Sequence, residues 1–329
     1  MKYLVTGGAG FIGSHMVDRL LCDNHSVRVI DNLSTGRLQN LDNHKNNKNL
    51  EFIQKDISEL SVIEDDFKSI DVVIHMAALA DIVSSIVNPA HYYKSNITGT
   101  FSVIEAARLA GVKRLVYTAS SSCYGIPDKY PTPETSEIHP QYPYALTKYL
   151  GEEIVLHWGQ VYKMPVVSLR LFNVYGLRSR TSGTYGAVFG VFLAQKLAGK
   201  PFTVVGDGEQ RRDFIHVSDV VEAFIQAAYS DVKNEIFNVG SGSPQSVNRL
   251  VELLEGEKTH IPKRPGEPDC THADINKIKS VLGWQPKISF EEGVGKIIEN
   301  IDYWKDAPVW TSESIKEATQ EWFECLAKE

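Results

Sequence analysis

Short runs of apolar, β-branched residues recur along the first half of the chain, separated by longer stretches with helical spacing. The runs are Tyr3–Thr6, Val27–Ile30, Glu51–Gln54, Val72–His75, Arg114–Thr118 and Val166–Arg170. Each reads as a strand. Between the first two, Ile12, Met16 and Leu20 recur as one face of a helix does. Strands alternating with helices predict an α/β fold, a parallel sheet covered on both faces. After Arg170 the alternation weakens and glycine and proline become frequent, as in Gly206-Asp207-Gly208 and Pro262-Lys263-Arg264-Pro265-Gly266. One later run, Ile236–Val239, has the composition of a strand returning to the sheet. The expected division is residues 1–172, with a returning segment at about 214–240, as the large part. Residues 173–213 and 241–329 form a smaller mixed α/β part. The asparagine-rich stretch Asn40–Asn49 reads as a solvated loop. The tail Ser312–Lys328 reads as an amphipathic helix, with Ile315, Thr319, Trp322 and Leu326 on its packing face and Ser314 and Glu317 as a capping box.

Bulk composition narrows the functional classes. The 329 residues carry a formal charge of −7, which gives no electrostatic reason to expect nucleic acid or an anionic membrane as partner. Positive charge for any phosphate must therefore be placed locally. The cysteines Cys22, Cys123, Cys270 and Cys325 are widely spaced, as reduced thiols in a cytoplasmic protein are. The histidines lack metal-ligand spacing, so no metal is expected. The first strand begins at residue 2, leaving no room for a signal peptide. No apolar run approaches the roughly 18 residues of a membrane span.

Two segments carry chemistry. The first strand runs straight into Gly7-Gly8-Ala9-Gly10-Phe11-Ile12-Gly13, and the turn opens a helix. Gly7 suits the tight turn, Gly10 lets backbone approach a phosphate, and Gly13 allows close helix–strand packing. The second strand ends in Asp31, an acceptor for both ribose hydroxyls of an adenosine and repulsive to a 2′-phosphate. This is the signature of a Rossmann-type, doubly wound dinucleotide-binding sheet. The second segment is Tyr144-Ala145-Leu146-Thr147-Lys148, where Pro143 starts a helix and places Tyr144 and Lys148 one turn apart. A tyrosine of pKa about 10 is a poor base at neutral pH, and a nearby ammonium is expected to favour its phenolate. The hydroxyls of Ser120-Ser121-Ser122 follow the strand Arg114–Thr118 and are expected to face the ligand crevice.

Taken together, these segments resemble the extended short-chain dehydrogenase/reductases, and among them the nucleotide-sugar epimerases related to UDP-galactose 4-epimerase. The resemblance extends to about residue 300. It also rests on Asp31-Asn32-Leu33-Ser34-Thr35-Gly36, Asp56-Ile57, His75-Met76-Ala77-Ala78 and Asn96-Ile97-Thr98-Gly99-Thr100. Arg170-Leu171-Phe172-Asn173-Val174-Tyr175-Gly176 and Arg212-Asp213-Phe214-Ile215-His216-Val217 complete it. The resemblance implies NAD as cofactor and Ser120, Tyr144 and Lys148 as the catalytic triad. It implies cofactor contacts from Gly7, Gly10, Phe11, Ile12, Gly13, Asp31, Asn32, Ser34, Thr35, Gly36, Asp56, Ile57, Ala77, Ala78, Asn96, Tyr144 and Lys148. Of these, Asp56 and Ile57 would flank the adenine and Lys148 would bind the nicotinamide ribose. Substrate contacts are implied for Ser120, Ser121, Ser122, Tyr144, Asn173, Arg212, Arg264, Glu267 and Thr271, with Arg212 and Arg264 on the diphosphate. It further implies a homodimer through the helix containing Phe101, Ile104, Ala107 and Leu109 and the helix bearing Tyr144.

Departures within the resemblance select a reaction. Related dehydratases carry Asp-Glu directly after the catalytic residue, and related decarboxylases keep a Glu at the second of these positions. Here both are serines, Ser121 and Ser122, whose hydroxyls are poor substitutes for a carboxyl acid. Asp31 disfavours NADP-dependent reductases. An epimerase acting on C4 of a UDP-hexose is the expected activity; another carbon or nucleotide, or an NAD sensor without chemistry, is the alternative. Cys123 is expected to be packed and inert. Thr271 is small at a position where a bulky aromatic restricts the pocket in some relatives, which favours entry of N-acetylated sugars.

Overall fold

In a computed structural model that describes residues 1–179 and 187–326, the six expected strands join a seventh in one parallel sheet. In spatial order these are Glu235–Val239, Val166–Leu171, Arg114–Ser120, Val72–His75, Lys2–Thr6, Ser26–Asp31 and Leu50–Gln54. The order reverses between Lys2–Thr6 and Val72–His75, so connections leave in opposite directions and open a crevice at the strands' C-terminal ends.

Both faces of the sheet are covered. Tyr3 and Val5 pack with Met16, Val17 and Leu20 of the helix Phe11–Cys22 and with Phe224 of the helix Val217–Tyr229. Leu4, between them, points the other way, to Val103 and Ile104 of the helix Gly99–Leu109 and Val155 of the helix Pro143–Tyr162. Burial on both sides explains the continuous apolar runs. A second core gathers Phe192, Phe202, Leu250, Ile297 and Trp304 around a group of rings. There Tyr175 stacks on Phe189 at 4.7 Å and Phe214 on Phe290 at 5.1 Å between centroids.

Several local expectations change. A 3₁₀ helix, Leu38–His44, runs into the asparagine-rich stretch Asn40–Asn49, where Asn40 is buried and its amide donates to the Ala9 carbonyl at 2.8 Å. The strand Phe214–His216 pairs with Asn173–Tyr175 outside the large sheet. Ala273, Ile275, Ile278 and Trp284 pack into the core of the large sheet, where the helix Asn276–Leu282 covers the edge strand Glu235–Val239.

The expected tail helix is two helices, Ser312–Ala318 and Gln320–Leu326; Lys328 lies outside the described residues. The break falls at Thr319, whose hydroxyl donates back to the Ile315 carbonyl at 2.8 Å. The capping box pairs Thr311 with Ser314, not Ser314 with Glu317, because the helix begins three residues earlier than that pairing requires. In the helix Gly99–Leu109, Ile104 and Ala107 face the sheet core, whereas Phe101 and Leu109 are exposed.

One buried ion pair locks the site-bearing loop to the sheet. Arg170 and Glu152 meet at 2.5 Å with side chains only 3% and 1% exposed. Glu152 also accepts from Ser168 at 2.6 Å. Arg170 donates to the Tyr124 hydroxyl at 2.9 Å, which donates to Asn238 at 2.8 Å. Removing one partner strands a charge in low dielectric. Glu152→Ala is therefore expected to cost about 3–5 kcal/mol of stability, read as a lower denaturant midpoint in urea unfolding.

Candidate functional site

The glycine turn is shaped by steric limits. Gly7 has φ +71°, and its N–H donates to the Ile30 carbonyl at 2.8 Å. A Cβ on Gly13 would lie 2.1 Å from the Gly7 carbonyl oxygen, so only glycine lets the helix start press against the turn. The helix Phe11–Cys22 thus presents its N-terminus to a cavity of about 340 Å³ at the switch point. The cavity is lined by Gly7, Gly10, Phe11, Ile12, Gly13, Asp31, Asn32, Ser34, Thr35, Asp56, Ile57, Ala77 and Ala78.

Asp31 ends its strand buried, its two carboxylate oxygens accepting from Ala9 N–H at 3.0 Å and Leu33 N–H at 2.8 Å. Burial raises its pKa, and those two bonds oppose the rise. At Asp56, hydrogen bonds from Ser58 and Asn32 outweigh the upward push of burial and hold the carboxyl low.

Four expected cofactor residues do not line this cavity: Tyr144 and Lys148 line a neighbouring one, and Asn96 and Gly36 line neither. Asn96 is 1% exposed, and its amide is spent on the Leu79 backbone, at 2.8 and 3.0 Å, and on Thr147. It shapes the wall at Leu79 rather than reaching the ligand space. Gly36 lies against the Asp31 carboxylate, where a Cβ would come within 2.8 Å of Oδ2.

Arg37, Lys55 and Arg178 also line the cavity and supply local positive charge to an acidic protein. They belong to no spaced motif, and the fold alone gathers them. The Thr118 hydroxyl is buried without a hydrogen-bond partner among the described residues, on a wall shared with the neighbouring cavity. A helix N-terminus behind a tight glycine turn, a carboxylate on the cavity wall and this unsatisfied hydroxyl fit a bound dinucleotide.

The neighbouring cavity, about 510 Å³, contains the expected chemistry. Ser120, Ser121, Ser122, Tyr144, Lys148, Asn173, Arg212, Arg264, Glu267 and Thr271 all line it. The Tyr144 hydroxyl donates to Ser120 Oγ at 3.2 Å, and Ser120 and Ser122 share a hydrogen bond of 2.8 Å. Lys148 is 4% exposed, with its ammonium 4.5 Å from the centroid of the Tyr117 ring.

The expected acidification of Tyr144 does not emerge from these residues alone. Burial raises its pKa, and the Ser120 hydrogen bond works against the rise. Burial likewise pushes Lys148 down to about 7, with Glu152 opposing. Cys123 is buried and its thiol is pushed up to about 12, as an inert packing residue. His75 is buried neutral between Thr6 at 2.6 Å and Thr100 at 3.0 Å, its pKa lowered to about 3 by burial.

At the far end, Glu267 stands between two arginines, at 3.0 Å from Arg264 and 3.5 Å from Arg212. The Thr271 hydroxyl donates to Asn173 Oδ1 at 2.7 Å and accepts from Asp213 N–H at 2.9 Å, which fixes the Asn173 amide. The Asp213 carboxylate is fully buried and accepts from the Ser241 backbone and hydroxyl, Gly242 and Ala273. It ties together the loops that carry Arg212 and Thr271. Its sequence signal was only its place between Arg212 and Phe214.

Among the described residues, no group of three or more His, Cys, Asp and Glu side chains could hold a metal ion. Nor is any helix among them long and apolar enough to cross a membrane.

Comparison with known proteins agrees with this geometry. The model of the NAD dependent epimerase/dehydratase family matches residues 3–240, ending well before the C-terminal helices. A UDP-glucose 4-epimerase of Mycolicibacterium smegmatis is 38% identical over 308 residues, covering 91% of this chain and 98% of that protein. The crystal structure of a Thermotoga maritima UDP-glucose 4-epimerase with UDP-glucose superposes with a TM-score of 0.86 at 36% identity, covering 93% of this chain and 99% of the other. A Bacillus cereus UDP-glucuronic acid 4-epimerase, solved with UDP-glucuronic acid and NAD, gives a TM-score of 0.84 at 32% identity over 93% and 99%. A glycine turn pressed against its own helix, a hydroxyl pair beside a buried lysine and this likeness over nearly the whole chain lead to one assignment: the chain belongs to the NAD dependent epimerase/dehydratase family, as an enzyme of the extended short-chain dehydrogenase/reductase type that uses NAD.

Proposed function

We propose that this enzyme inverts C4 of a UDP-hexose, in glucose/galactose or N-acetylated form, through a transient 4-keto sugar. The observation that carries the reading is the Tyr144–Ser120 hydrogen bond of 3.2 Å, in the cavity that also takes in Lys148, Arg212 and Arg264. NAD, when bound, supplies a reversible two-electron acceptor next to the sugar carbon. Tyr144 takes the proton of the C4 hydroxyl, and Ser120 holds that oxygen and relays to Ser122. Lys148 holds the nicotinamide ribose and, once charged, favours the Tyr144 phenolate. Arg212, Arg264 and Asn173 anchor the nucleotide while the keto sugar turns.

Ser121 and Ser122 both line the cavity where a dehydratase needs carboxyl groups, which supports inversion over elimination. In this reading residues 1–172 with 214–240 hold the dinucleotide, and 173–213 with 241–329 hold the sugar nucleotide, with Asn276–Leu282 packed back onto the former. We further propose a cytoplasmic homodimer. Exposed Phe101, Leu109, Leu146 and Leu150 on the two helices named above support it.

Tyr144→Phe is expected to slow interconversion of UDP-glucose and UDP-galactose by about 10²–10⁴-fold while NAD stays bound. A wild-type rate in an epimerisation assay would sink the mechanism.

Thr271→Tyr should depress turnover of UDP-N-acetylgalactosamine more than that of UDP-galactose. Equal losses on the two substrates would reject the pocket-size argument.

Lys148 yields a pH signature. Its pKa of about 7 lies below the 10.5 of a free lysine. Between these values the unfolded chain binds the extra proton, so stability rises with pH. Below about pH 7 the full cost of the buried charge is present. In NAD-free protein, Lys148→Met is expected to gain a few kcal/mol at about pH 6, the gain shrinking toward pH 10 in urea titrations.

A further inference from the structure

We propose that the C-terminal helix Gln320–Leu326 completes the sugar-nucleotide site, with Trp322 as a positioning residue that sets Arg264 against the ligand's diphosphate. The inference rests on the substrate reading above. Trp322 is 2% exposed and lines the same cavity as Tyr144 and the arginines. The Arg264 guanidinium lies over its ring, 5.4 Å from the centroid. The indole N–H donates to the Pro265 carbonyl at 2.8 Å, so one side chain holds both the guanidinium and the backbone that follows it.

The other end of the helix reaches the same turn. Gly266 has φ +74°, and a Cβ there would lie 3.5 Å from Leu326 Cδ1. The helix also packs on Ile82–Val87, whose Ile82 and Val83 line the opposite stretch of the cavity. Two walls of one site are therefore bridged by a segment near the chain's end.

The chemistry suits an anion. An aromatic face holds a guanidinium by its plane, and the fork of N–H donors points sideways along that plane. Arg264 Nη1 donates to Glu267 at 3.0 Å, and Glu267 lies in the same cavity. A diphosphate presents the same kind of oxygen acceptor with more charge. Without the indole, Arg264 must be ordered at the moment of binding, which weakens affinity without touching the reacting carbon.

The test uses the full chain and UDP itself, by calorimetry, beside steady-state kinetics on UDP-glucose. Trp322→Leu keeps an apolar filling but removes the ring and the N–H, and is expected to weaken UDP binding and raise KM about tenfold, with kcat within about twofold. Trp322→Phe keeps a ring and should recover most of that loss. In an Arg264→Ala background, Trp322→Leu should add less than about twofold, because its effect runs through Arg264. Unchanged UDP affinity in Trp322→Leu, or full additivity with Arg264→Ala, overturns the proposal. If UDP binding follows this pattern but no hexose is epimerised, the C4 reading fails and the role of Trp322 stands.

Discussion

Withdrawal from water of a phenol and an ammonium on one helix face is the constraint from which the rest of the site follows. Tyr144 and Lys148 are each held away from their charged forms by burial. A group poised in this way responds strongly to any charge placed beside it, because little solvent screens the interaction. The protein alone leaves the tyrosine protonated and the lysine near neutrality. On the proposed reading, the positive charge of a bound nicotinamide would favour the phenolate, and hydrogen bonds to its ribose would restore part of what burial took from the lysine. The base would then be assembled only in a loaded site.

Keeping that corner dry and in register falls to packing around it. The Ser120–Tyr124 segment leaves the strand Arg114–Ser120 and is gripped from below by Arg170, through Tyr124, with Asn238 on the neighbouring strand. Glu152, one turn beyond Lys148 on the same helix, closes the network and also raises the lysine's proton affinity. One carboxylate therefore serves both the scaffold and the electrostatics of the site. Arg170 thus matters to the site although it lines neither cavity.

Much of the large sheet was legible because its strands are buried on both faces and short enough to read as apolar runs. The glycine turn was legible for a related reason, since a Cβ at Gly13 has nowhere to go. Contacts made by distant residues could not be read in the same way. Asn96 sits in a signature segment, yet its amide is consumed by Leu79, which no periodicity reveals. Thr271 was read for its size, whereas its hydroxyl fixes Asn173 across the site. Arg37, Lys55 and Arg178 converge only through folding. The tail was legible as amphipathic, but its break at Thr319 depends on one hydroxyl bonding backward, and its packing partner on the loop after Arg264.

In the proposed reading, charge placement lets an acidic protein take an anionic substrate. With a net charge of −7 the surface repels nucleotides at long range, and affinity has to come from short-range donors. Glu267 between Arg212 and Arg264 reconciles the two demands. It neutralises part of a half-buried cationic pair that would otherwise be costly to hold together. On the proposed reading, an arriving diphosphate would compete with that carboxylate for guanidinium donors it already holds in place.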